Sequence, residues 1–127
     1  MKINWEVMAL FAILALPFQA QAASEDKARI VTQNAQPADC ISRVAIRTIN
    51  GKEKFVSPQG FDLEPGRYTL NGTVALDTTF CKVVRGNENT RPAPLEAEFE
   101  AGKTYYIGFD HSSPNRAEWS LVIWKVE

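Results

Sequence analysis

From Ile41 onward, apolar and polar residues alternate with the two-residue period of a strand that buries one face. Val44, Ile46 and Thr48 fall on one side, Arg43, Ala45 and Arg47 on the other. Asn50-Gly51 follows, a dipeptide suited to positive φ in a hairpin turn, and Lys52 to Val56 is expected to return as a second strand. Phe61 and Leu63 are placed to point inward just before Glu64-Pro65-Gly66. There proline sets φ and glycine accepts the positive φ of a type II turn.

The next segment carries the clearest pattern. Tyr68, Leu70, Val74 and Leu76 share a face with Gly72 in step, while Arg67, Thr69, Asn71 and Thr73 occupy the other, and Gly72 signals a bend or bulge. Phe80 to Val84 reads as a short strand carrying Cys81, and Arg85 to Pro94 as a polar, mobile loop. Leu95, Ala97 and Phe99 alternate with Glu96, Glu98 and Glu100, and Ala101-Gly102 is expected to turn this strand into Lys103 to Phe109 as a hairpin. Asp110 to Arg116 has loop composition. Glu118 to Val126 closes the chain as a strand apolar on both faces, with Trp119, Leu121 and Ile123 opposite Val122, Trp124 and Val126, which implies a central position. About seven short strands without a helical period predict an all-β domain over residues 40–127, an antiparallel β-sandwich or open barrel.

The amino end differs in character. Lys2 precedes an apolar run from Val7 to Phe18, broken only by Pro17, and Ala20-Gln21-Ala22 has the small-x-small pattern of a signal-peptidase site. Residues 1–22 therefore read as a cleaved signal peptide, too short and wrongly flanked for a membrane span. The expected product is periplasmic or secreted, with no stable membrane anchor. Ala23 to Asp39 reads as a flexible arm in which a short edge strand near Arg29 to Thr32 is the only order expected.

Cys40 and Cys81 are the only cysteines. An even number in an exported chain is read as a disulfide, because the compartment is oxidising. Closing a loop of about 40 residues restricts the unfolded chain by roughly 4 kcal/mol. A redox pair or zinc site would want close spacing or further ligands, and the chain has one histidine. Removing 22 of the 127 residues leaves 105, and loss of Lys2 and Glu6 changes 14 basic and 15 acidic residues to 13 and 14. So even a balance carries no basic footprint for nucleic acid and no basic amphipathic helix for a membrane surface.

The turn at Ile49 to Gly51, the run Phe61-Asp-Leu-Glu-Pro-Gly-Arg-Tyr68 and the run Ala101-Gly-Lys-Thr-Tyr-Tyr-Ile107 occur in an order that resembles small bacterial envelope proteins with PEGA-like or transthyretin-like β-sandwich modules. The resemblance covers about half of the expected mature chain. It implies a cell-envelope location and binding rather than chemistry, and it carries over no functional residue.

Candidate chemistry is sparse. His111-Ser112-Ser113 supplies a nominal Ser/His pair, but sequence neighbours seldom make a working dyad and a polar loop gives little burial, so His111 reads as a surface-loop residue. Asp110 and His111 are too few ligands for zinc, and the Glu96, Glu98, Glu100 row reads as a solvated face that blunts an edge strand. No cofactor fingerprint appears. Tyr106 and Trp124 are the aromatics best placed to form an exposed stripe for a sugar or protein partner. The sequence thus favours a non-enzymatic binding or structural module that meets an envelope protein or glycan. Candidate contacts are Arg85 and Arg91 in one loop, His111 in another, and Tyr106 and Trp124 on a sheet face. An inhibitor of a secreted hydrolase is the alternative.

Overall fold

In the computed structural model, which describes residues 25–81 and 92–127, every regular element is a strand apart from two short 3₁₀ turns at Pro37–Asp39 and Arg116–Glu118. The strands are β1 (Ala28–Val31), β2 (Ile41–Ile49), β3 (Lys52–Glu53), β4 (Gly60–Leu63), β5 (Gly66–Ala75), β6 (Leu95–Phe99), β7 (Thr104–Asp110) and β8 (Ser120–Val126). They form one open sheet in the order β4-β1-β7-β2-β5-β6, with β3 added to β2 and β8 to β7. No helix among the described residues is long and apolar enough to cross a membrane. The expected signal peptide, Arg85 and Arg91 lie outside the described residues.

The all-β expectation holds, with eight strands rather than seven and a mixed rather than antiparallel sheet. The mixing comes from β1, which runs parallel to β7 through Arg29↔Thr104 to Val31↔Tyr106 and antiparallel to β4. The segment expected to be an arm thus supplies an interior strand, with Ala28 and Ile30 fully buried. The short strand expected near Arg29 to Thr32 is present, but interior rather than at an edge, because it pairs with β4 on one side and β7 on the other.

Asn50 and Gly51 adopt positive φ, 54° and 80°, and close the β2–β3 hairpin as their chemistry predicts. The return strand stops at Glu53, leaving Phe55 fully exposed. Gly66 lies at φ 150° rather than in a type II turn, and the chain there leaves β4 for a different neighbour, β6. Tyr68 holds this corner by donating its hydroxyl to the Glu64 carbonyl at 2.8 Å. The Ala101-Gly102 turn also differs from expectation: β6 pairs with β5, and β7 with β1, β2 and β8, so no β6–β7 hairpin forms. Phe99 is the reason. Fully buried, it meets Tyr105 edge-to-face at 4.8 Å, so β6 and β7 face each other across the core, joined by the exposed residues Glu100 to Lys103.

Phe80 and Cys81 sit in a turn rather than a strand, and the rest of that expected strand lies outside the described residues. Cys40 and Cys81 are disulfide-bonded, with Cα atoms 5.9 Å apart, which ties this turn to the start of β2. β7, not β8, is the central strand: it has β8 along one edge and β1 then β2 along the other. Its inward residues Tyr105, Ile107 and Phe109 join Ile30, Val44, Ile46, Leu70, Phe99 and Leu121 in one core. Phe61 and Leu63 pack against it as their spacing predicts.

Candidate functional site

Alternation along β7 sends Tyr106, Gly108 and Asp110 to the face opposite the core. On β8 the register shifts, Tyr106 opposing Lys125 while Ile107 opposes Ile123, so Trp124 is an extra residue in a bulge. Bulges re-aim side chains. Here the bulge brings Trp124 beside Tyr106, with ring centroids 5.2 Å apart at 52°, and puts Lys125 Nζ 5.2 Å from the Tyr106 ring centre. Gly108 makes room for the indole: a Cβ there would lie 3.2 Å from Trp124 Cδ1 and 2.5 Å from Ile41 Cγ2. In the sheet register, Val31 is the β1 partner of Tyr106 and Val122 the β8 partner of Gly108.

A polar rim fixes the pair. Tyr106 donates its hydroxyl to Glu127 Oε1 at 2.7 Å, and Lys125 pairs with Glu127 at 3.1 Å. The hydrogen bond to Glu127 raises the Tyr106 pKa, and the same carboxylate raises that of Lys125. Glu127 is lowered, first by the Tyr106 hydroxyl and then by Lys125. Each group is thereby held in its ordinary charge state at neutral pH, while the ring edges remain partly open to solvent. Trp124 Nε1 is itself shielded and has no partner among the described residues.

His111 lies elsewhere. It is 3% exposed, not on the surface, stacked on Phe109 and edge-on to Trp119. Its Nε2 is 2.7 Å from the Oγ of fully buried Ser42, and that oxygen also accepts the Asp77 N–H at 2.9 Å. The serine beside the histidine is thus Ser42, 69 residues distant, rather than Ser112 or Ser113. The other ring nitrogen, Nδ1, is buried without a partner among the described residues, none of which supplies a carboxylate to orient the imidazole as a triad would require. Burial pushes the His111 pKa down, against the opposing pull of Asp110 and Asp77.

Two further surfaces escaped sequence reasoning. A cleft of about 300 Å³ is lined by Thr32, Arg43, Ala45, Arg47, Pro58 and Thr73, among others. Both arginines occupy polar positions of the β2 pattern, where they read as ordinary solvent-facing residues. What the sequence lacked was the partner wall, which comes from separate segments on either side of β2, Thr32 and Gln33 before it and Pro58 after it. Phe55 is the other. It stands fully exposed beside Arg47 and Lys54, and its only sequence signal was a strand that ended early. Compared with family models, curated proteins and solved structures, the chain matches none.

Proposed function

We propose that this chain is an exported, non-enzymatic binding module of the cell envelope, a β-sandwich that takes a protein or glycan partner on the outer face of β7 and β8. The observation that carries the reading is the Tyr106–Trp124 pair, held on the solvent side of the sheet by the bulge and by Gly108. Aromatics that combine an apolar body with a polar tip dominate recognition surfaces. Export is supported by the signal-like residues 1–22 and by the bonded cysteines, which persist in oxidising compartments. A sandwich is supported by the contact between β6, at one end of the strand order, and β8, which is attached to β7. The burial of Ser42 supports a non-enzymatic role, because a substrate carbonyl has no path to its oxygen.

The test is affinity capture from envelope extract and from a glycan array, with the oxidised protein beside a Tyr106→Ala/Trp124→Ala variant. Retention of one partner by the unaltered protein and its loss from the variant is the expected outcome. Equal retention by both would place the contact elsewhere.

A second reading, inhibition of a secreted hydrolase, is favoured by Phe55, whose fully exposed ring projects from an irregular segment next to Lys54. An exposed aromatic on such a segment suits an apolar specificity pocket. Inhibition of a chymotrypsin-like protease at micromolar protein, abolished by Phe55→Ala, would move the function to this segment. No inhibition across a hydrolase panel would end that reading.

A further inference from the structure

The middle of β2 has a strand neighbour on one side only. Ile41 and Ser42 pair with β7, and Thr48 and Ile49 pair with β3, whereas Arg43 to Ile46 pair with β5 alone among the described residues, and Arg47 falls at a shift of that register. The Arg47 carbonyl accepts Lys54 N–H at 3.0 Å, which marks one end of the open stretch. The cleft of about 300 Å³ is lined by Arg43 to Ala45 and Arg47 of this stretch, by Thr73 to Ala75 of the paired β5, and by Thr32, Gln33 and Pro58 from outside the β2–β5 ladder. A strand edge with unused donors and acceptors is a template for another extended chain.

The charges select which chain. Arg43 and Arg47 both line the cleft, and neither forms an ion pair or side-chain hydrogen bond among the described residues. Between them the surface is small and neutral, with Ala45 flanked by Thr73 and Ala75 on β5. Four residues of strand span about 13 Å at roughly 3.3 Å per residue. Carboxylates on one face of an extended ligand, four residues apart, therefore match the two guanidiniums. Guanidinium and carboxylate make the strongest planar pairing available to side chains.

We propose that this cleft binds an extended acidic peptide segment, which pairs through its main chain with the open edge of β2 and sets two carboxylates against Arg43 and Arg47. The site is distinct from the β7–β8 aromatic face and does not depend on it. A polyanion without a peptide backbone would engage the arginines only, and that difference is measurable.

The experiment is an amide-resolved NMR titration of the oxidised protein with a blocked nonapeptide carrying glutamate at alternate positions and small apolar residues between. The expected result is saturable binding with shifts centred on Arg43 to Arg47, Thr32 and Gln33. Arg43→Gln/Arg47→Gln weakens it at least tenfold with the spectrum of the fold retained, and N-methylation of alternate peptide nitrogens abolishes it. Absence of saturable binding, shifts centred elsewhere, equal binding of the lysine counterpart, or equal binding of the N-methylated peptide would each overturn the proposal.

Discussion

Ser42 connects two parts of the chain that share no strand ladder. Its one oxygen meets His111 Nε2 after β7 and the Asp77 N–H after β5, so the serine and imidazole act as an internal brace. The brace works with neutral histidine, because the buried Nδ1 has no acceptor for a second proton among the described residues. This fixes the sign of a pH effect. The unfolded chain takes up the proton near the ordinary value of 6.5, and the folded chain only at lower pH. The unfolded state therefore binds more protons between those values, so stability is complete above 6.5 and falls as pH drops below it, until the folded value is reached. Urea unfolding at stepped pH should show that decline, and His111→Gln, which keeps a group able to bond Ser42, should flatten it. An unchanged slope in the variant would assign the decline to the carboxylates. The sequence hid this pair because serine resembles a solvent residue. Its parity with Val44 and Ile46 was the one sign that it faces inward.

At the scale of elements, alternation was readable wherever a strand ran straight. In β2 it placed Val44 and Ile46 correctly, and Thr48 lost its inward place to Ile49 because the register against β5 shifts after Ile46. In β8 the bulge at Trp124 has a larger effect. Two apolar faces suggested a strand covered on both sides, yet among the described residues β8 pairs only with β7, and of its apolar residues Trp124 packs against Gly108 and Tyr106 while Val126 stays exposed. Such shifts depend on the neighbouring strand and have no local signature, so parity fails beyond them. The Tyr106–Trp124 pairing was thus legible as two candidates, whereas the geometry that joins them was not. The account makes Gly108 the seat of the pair. Gly108→Ala should displace Trp124 or Ile41 and cost about 1–3 kcal/mol through overpacking. Thermal unfolding reads the loss, and a changed Trp fluorescence should accompany it; unaltered stability and emission would mean that the indole does not rest there.

Across the whole molecule, one core joins residues from β1, β2, β5, β6, β7 and β8, and the Cys40–Cys81 bond closes the long connection between the start of β2 and the turn after β5. The cysteine count and the exported reading made that bond legible from sequence, whereas the crossing connections at Pro65 and Gly102 were not, since a turn dipeptide does not say which strand follows beside it. Replacing both cysteines by serine should remove about 2–5 kcal/mol of stability, measured as a lower denaturant midpoint under oxidising conditions. A midpoint that did not move would mean that the cross-link adds nothing to the folded state. The proposed partner contact on the outer face of β7 and β8 rests on the Tyr106–Trp124 pair. Its most direct test is site-specific photocrosslinking in intact cells, with a benzoylphenylalanine in place of Val122 and, as control, in place of Glu98 on the exposed edge of β6. One discrete adduct is expected from position 122, lost when Tyr106 and Trp124 are changed to alanine, and none from position 98. No adduct from 122, or the same adduct from both positions, would contradict it.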